Sequence, residues 1–246
     1  IKYFTVQNFA GVNGNTDAGI YGIGGNNNLL IRSVILQNNV GGSGFYANGP
    51  VNTVTLDSVI ASGHTSNARG IVIWNGLKEN ITFSNCEVFN NNCCGMELQD
   101  GQASGVTFEY NNIHDNFDNG IGLMGLQGPG ENVIRNNTLL NNGRFGMELK
   151  NPNGSGLTTG PGRIVVENNN VSRTVPIVDN RDIVGIAAFR RGVGAGNVDI
   201  PAGVVIQNNT VSGYAQPSTS DGFGIVVEGL NHTVSTNTVS GCDVGI

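Results

Sequence analysis

Residues 106–121 read Val106-Thr-Phe108-Glu-Tyr-Asn111-Asn-Ile113-His-Asp-Asn-Phe-Asp-Asn-Gly120-Ile121, and both signals in this stretch recur along the chain. The first is an apolar-x-apolar-x-x-Asn-x-apolar run. It returns as Val204-Val-Ile206-Gln-Asn-Asn209-Thr-Val211, as Ile164-Val-Val166-Glu-Asn-Asn169-Asn-Val171 and as Ile81-Thr-Phe83-Ser-Asn-Cys86-Glu-Val88. Alternation of period two predicts a strand with one buried face. The second signal is a Gly followed by an apolar residue. The pairs are Gly19-Ile20, Gly44-Phe45, Gly70-Ile71, Gly95-Met96, Gly120-Ile121, Gly146-Met147, Gly185-Ile186, Gly224-Ile225 and Gly245-Ile246, and five of the eight steps are 25 or 26 residues. A period of that size marks a solenoid, in which each repeat buries its apolar side only by stacking on its neighbours.

Aligning the repeats predicts columns. One inward column is Ile31, Leu56, Phe83, Phe108, Ile134, Val166, Ile206, Val234; another runs from Val6 and Leu36 to Val211 and Val239. Each coil therefore holds two or three short strands. Asn111, Asn137, Asn169, Asn209 and Asn237 form a further column, preceded by Cys86. Stacked amides can hydrogen-bond from coil to coil, as in cross-β stacks.

Composition agrees. Gly (38) and Asn (37) make up nearly a third of the 246 residues, and only 12% of residues are charged. Gly and Asn favour turns and left-handed backbone. The expected fold is all-β: one parallel β-helix domain over 1–246, of about nine coils. Apolar strand positions at both ends, without polar caps, predict an uncapped segment of a longer chain. The net charge of −6 argues against nucleic acid as a partner. No run of 18 apolar residues suggests a membrane span.

The Gly-Ile repeats, the Asn-Asn-x-[Ile/Val] repeats and the Asn column resemble right-handed parallel β-helix proteins of the pectate-lyase-like superfamily. That resemblance implies an extracellular or cell-surface protein, and its members include polysaccharide lyases, glycoside hydrolases, uronan epimerases and non-catalytic surface proteins. The stretches 15–20 and 220–225 look like the Asn-Thr-Asp-Gly element of polygalacturonases, but the elements that accompany it there are absent.

Alternation past each Gly predicts which residues face outward. The first such column is Tyr21, Tyr46, Val72, Glu97, Gly122, Glu148, Ala187, Val226; the second is Asn48, Trp74, Gln99, Met124, Lys150, Phe189, Glu228. Glu97 and Glu148 fall two coils apart, roughly 10 Å at the backbone. Flexible side chains could bring them within the ~6.5–9.5 Å of an inverting glycosidase pair. Lys150 with Arg190 resembles the Lys/Arg arrangement of some β-helix uronan lyases. The candidate catalytic residues are thus Glu97, Glu148, Lys150 and Arg190. Tyr46, Trp74, Phe189, Arg191 and Glu228 are candidates for holding substrate. Excursions at 9–18, 172–184, 190–203 and 212–223 could wall a cleft, coils two to six being compact.

Other residues carry weaker signals. His114-Asp115-Asn116 could serve as a general base or, being oxygen-rich, hold Ca²⁺; no other cofactor is implied, and no His/Cys/carboxylate group has metal-ligand spacing. His64 and His232 read as isolated. Cys86 and Cys242 read as small core or turn residues, while Cys93-Cys94 could pair with a neighbouring coil. Two functions remain open. One is a secreted protein that binds or cleaves polysaccharide, by lyase- or hydrolase-like chemistry. The other is a non-catalytic segment of an adhesin, stalk or filament. Its partners would be cell-surface glycans, further domains of the same chain, or other coils stacked end to end.

Overall fold

The computed structural model describes residues 1–11, 17–23, 25–176, 181–191, 200–217 and 221–246. They form a parallel β-solenoid of about eight turns, and no described residue is helical. One side is an eight-stranded sheet of Ala18–Ile23, Ser43–Asn48, Ile71–Trp74, Met96–Gln99, Ile121–Met124, Phe145–Lys150, Ile183–Phe189 and Gly222–Val227. The other two sides belong to a sixteen-stranded sheet, joined through the long strand Asn26–Gln37. One of them runs from Val51–Asp57 to Thr233–Ser235, the other from Ile60–Ser62 to Thr238–Ser240. The ninth Gly-apolar pair continues the stack by backbone alone: the Ile225 N–H donates to the Gly245 carbonyl at 2.9 Å.

The expected columns are in register. Ile31, Leu56, Phe83, Phe108, Ile134, Val166, Ile206 and Val234 pair in sequence from coil to coil. All but Val234 are sealed in the core. Removing these stacked side chains from water is what holds each coil to the next.

The Asn-Asn doublet divides two tasks between its residues. Asn136, Asn168 and Asn208 have φ near +55°, so they turn the chain between two sheet faces. Asn tolerates that left-handed backbone better than other L residues bearing a Cβ. The next residue points inward. Asn137 Oδ1 accepts from the Asn111 N–H (3.0 Å) and Asn111 Nδ2 (2.9 Å), while Asn137 Nδ2 donates to the Phe108 carbonyl and to Asn169 Oδ1, both at 2.9 Å. The rung repeats through Asn169, Asn209 and Asn237. Cys86 is the buried end of this column, its N–H donating to Asn111 Oδ1.

A second ladder, unexpected from the sequence, lies one corner further on. It runs Asn39, His64, Asn91, Asn116, Asn142. His64 is therefore not isolated: its Nδ1 accepts from the Asn39 N–H, and its own N–H donates to Asn91 Oδ1, both at 3.3 Å. Inward packing of Asn116 also splits the His114-Asp115-Asn116 turn. Asn116 is buried in the ladder, while His114 pairs with Asp115 on the surface and stacks on Phe89. Asn116 Oδ1 thus faces the core while the Asp115 carboxylate stays on the surface. No three His, Cys, Asp or Glu among the described residues could hold a metal.

The Gly column meets this second ladder. A Cβ on Gly70 would lie 2.3 Å from Val88 Cγ1 and 2.8 Å from the Gly95 carbonyl oxygen. Neighbouring coils approach too closely there for any side chain. The excursions are described only in part, because 12–16, 177–180, 192–199 and 218–220 lie outside the described residues. A further excursion, 151–163, interrupts a coil expected to be compact. It is anchored where the Gly154 N–H donates to the Ala202 carbonyl at 2.9 Å.

Candidate functional site

The outward columns also hold. Tyr21, Tyr46, Val72, Glu97, Gly122, Glu148, Ala187 and Val226 stand in register, as do Asn48, Trp74 and Gln99, and then Met124, Lys150 and Phe189. A third outward column went unread. The residue before each column Gly also faces this side, and its members include Ala18, Arg69, Cys94, Asn119, Phe145, Val184 and Phe223. The tight Gly corner interrupts simple alternation, so counting in twos from the Gly misses these residues.

The three columns build an ionic cluster around Gly122. Arg69 Nε pairs with Glu97 Oε2, and Arg191 Nη1 pairs with Glu148 Oε1. Lys150 Nζ stands between the carboxylates, 3.3 Å from Glu148 Oε2 and 3.9 Å from Glu97 Oε1. Gln99 Nε2 donates to Glu97 Oε1 and Asn119 Nδ2 to Glu148 Oε2, both at 2.6 Å. A Cβ on Gly122 would come 3.0 Å from Glu97 Oε1, so this bare position leaves room for the carboxylate. Main-chain bonds hold Arg191 in place: its N–H donates to Asn151 Oδ1 at 2.8 Å, and its carbonyl accepts from Asn151 Nδ2 at 2.7 Å.

Glu97, Glu148 and Lys150 face outward but are not open to water. Glu97 is 2% exposed, Glu148 0% and Lys150 7%. The surrounding Arg, Gln and Asn side chains cover them, and Arg191 remains the most accessible charge, its side chain 39% exposed. Burial pushes the Glu97 pKa up. Lys150 and then Arg69, with hydrogen bonds from Arg69 and Gln99, outweigh that burial and leave it below the ordinary carboxylate value. Arg190 does not join the cluster: it is exposed, and its N–H donates to Glu228 Oε2 at 3.0 Å.

Aromatic groups flank the cluster on both sides. Toward the N-terminal coils, the Arg69 guanidinium lies 4.8 Å over the Trp74 ring, and Trp74 Nε1 donates to Asp100 Oδ2 at 2.7 Å. Beyond it Tyr46 stacks on Tyr21 with centroids 5.4 Å apart. Tyr46 is 3% exposed, so Tyr21 and the half-buried Trp74 are the rings that a ligand would meet. Toward the C-terminal coils, Phe145 stacks on Phe189 at 5.8 Å, with the Arg144 and Arg191 guanidinium groups 5.1 and 5.7 Å from the Phe145 ring. Phe145, Val184, Ala187, Phe189, Phe223 and Val226 line an apolar hollow of about 280 Å³ with Arg144 and Asp182 at its rim.

Comparison with known proteins places this arrangement on a recognised fold. No curated protein sequence matches the chain. A crystal structure of a mutant of the periplasmic alginate epimerase AlgG is similar, with a TM-score of 0.55 at 11% identity. The likeness covers 90% of this chain and 47% of that one, so the chain spans about half the length of the epimerase structure. At that identity the likeness shows the fold alone. A family model described as "right handed beta helix region" matches residues 18–246. The chain belongs to the right-handed β-helix family.

Proposed function

We propose that this protein binds an acidic polysaccharide along the outward face of its eight-stranded sheet. The observation that carries this reading is one face with a charged centre between two aromatic flanks. Sugar rings have apolar faces that pack on aromatic side chains, and carboxylates pair with guanidinium and ammonium groups. The Trp74 coil and the Phe189 coil are four steps apart, about 19 Å at coil spacing. A short oligosaccharide lying along the rod would cover both flanks and the ionic centre. Fold likeness to an alginate epimerase supports a polysaccharide-related role and an exported protein.

Should the site also carry out a reaction, its chemistry favours proton abstraction beside a uronate carboxylate over glycosidic hydrolysis. Hydrolysis needs one carboxyl group kept protonated to act as an acid. Here each glutamate is paired with an arginine, and Glu97 is held below the ordinary value. In this reading Arg191 neutralises the substrate carboxylate, Glu97 and Glu148 position Lys150, and the Lys150 amine, its own proton having passed to solvent, takes the proton from the sugar carbon.

Calorimetric titration with uronate oligosaccharides and their neutral counterparts tests the proposal. Binding of the acidic series is expected, weakened about tenfold by Phe189→Ala, a loss of about 1.4 kcal/mol. Equal binding of both series, or none at millimolar oligosaccharide, would sink it. Deuterium incorporation into the bound sugar in heavy water, lost in Lys150→Ala, would mark catalysis.

A further inference from the structure

We propose that Cys93 and Cys94 are a redox-active vicinal dithiol, which hydroperoxides close to a disulfide at the wall of the ionic site. Their sulfurs lie 3.2 Å apart, and all four cysteines are free thiols. The sequence leaves open a partner on a neighbouring coil; the two sulfurs face each other instead. Backbone bonds to both neighbouring coils hold them so. The Asp118 N–H donates to the Cys93 carbonyl at 2.7 Å, and the Gly70 N–H to the Cys94 carbonyl at 3.0 Å.

The two thiols are unequal. The Cys94 hydrogen bond, with help from the nearby Arg69 charge, draws the Cys93 pKa below its ordinary value against the opposing effect of burial. The same hydrogen bond and burial push Cys94 well up. Cys93 is therefore the attacking sulfur, since the thiolate is the nucleophile. Its thiolate attacks one peroxide oxygen; the O–O bond breaks, a sulfenic acid forms, and hydroxide takes a proton to leave as water. Cys94 sulfur then displaces the sulfenic hydroxyl, forming the S–S bond and releasing a second water. Two thiols and one hydrogen peroxide yield one disulfide and two waters; with an organic hydroperoxide the first leaving group is the alcohol instead.

Access favours a small oxidant, because Cys93 is 7% exposed and Cys94 2%. Adjacent Cα atoms are about 3.8 Å apart, below the ~4.4–6.8 Å usual across a disulfide. Such a ring stores strain, so a dithiol reductant should reopen it. Cys86, buried alone with its thiol pushed up to about 12, should be inert.

The test is independent of glycan binding. The folded protein is treated with hydrogen peroxide, unfolded, alkylated and weighed. The expected result is a loss of about 2 Da before alkylation, two fewer alkyl groups after it and a Cys93–Cys94 peptide, all reversed by dithiothreitol. In Cys94→Ser the sulfenic acid on Cys93 cannot be resolved and should be trapped by dimedone. Cys86→Ser and Cys242→Ser should react like the natural protein. The proposal is overturned if four thiols remain after peroxide, if Cys93 goes to sulfinic acid with no 2 Da loss, or if the bond formed involves Cys86 or Cys242.

Discussion

His64 fills a rung that asparagine occupies on neighbouring coils, and this substitution has a pH signature. Burial lowers its pKa from 6.5 to about 4, opposed by the Leu36 carbonyl. The unfolded chain therefore takes up a proton between pH 6.5 and about 4 while the folded chain does not, and stability falls as pH drops through that window. The full loss is about 3 kcal/mol. Chemical denaturation at pH 7 and pH 4.5 should show it, and His64→Asn, which restores an amide rung, should remove most of the difference. An unchanged pH dependence in that variant would refute the assignment. Asn39, Asn91, Asn116 and Asn142 each follow a residue with φ near +55°, a backbone turn that only the structure shows. His64 was not readable as a rung, since a histidine after Gly63 gives no local hint of an amide's place.

At the level of elements, stacked coils depend on the ladders as much as on the apolar columns. Each buried Asn satisfies main-chain groups that a three-sided coil leaves unpaired at its corners. Asn137→Ala removes four hydrogen bonds and leaves the buried Asn111 N–H without its amide acceptor. The expected cost is about 2–4 kcal/mol, read as a shift in denaturation midpoint. The exposed neighbour Asn112→Ala serves as control and should change stability by under about 0.5 kcal/mol. Equal effects of the two would show that the ladder adds little. Strand positions and inward columns could be read because period-two alternation holds within the strands of each coil. The outward column of Arg69, Cys94, Asn119 and Phe145 could not, because the close-packed Gly corner breaks that alternation.

Across the whole molecule, the coil stack turns residues 25 or more apart in sequence into neighbours along one face. Arg69, Glu97, Asn119, Glu148 and Arg191 each come from a different coil, and their charges compensate only when five coils are stacked. A linear track makes a length-dependent prediction. Affinity for an acidic oligosaccharide should rise with chain length and level off once it spans about 19 Å. Fluorescence titration of Trp74 can follow this, since that ring is half-buried beside Arg69. Affinity set by one sugar alone, with no length dependence, would argue against a track.

Repetition by itself determined the solenoid, its register and the direction of two outward columns, because each coil repeats one local rule of alternation, turn and Gly corner. Only the tertiary structure decided what those columns become. Glu97 and Glu148 read as solvent-facing acids and are instead sealed by Arg69 and Arg191. The sequence reading favours Arg190 as the catalytic arginine, yet only the adjacent Arg191 enters the cluster, because its main chain is clamped by Asn151. Burial and ion pairing depend on what the next coil places alongside, and a local pattern carries no information about that.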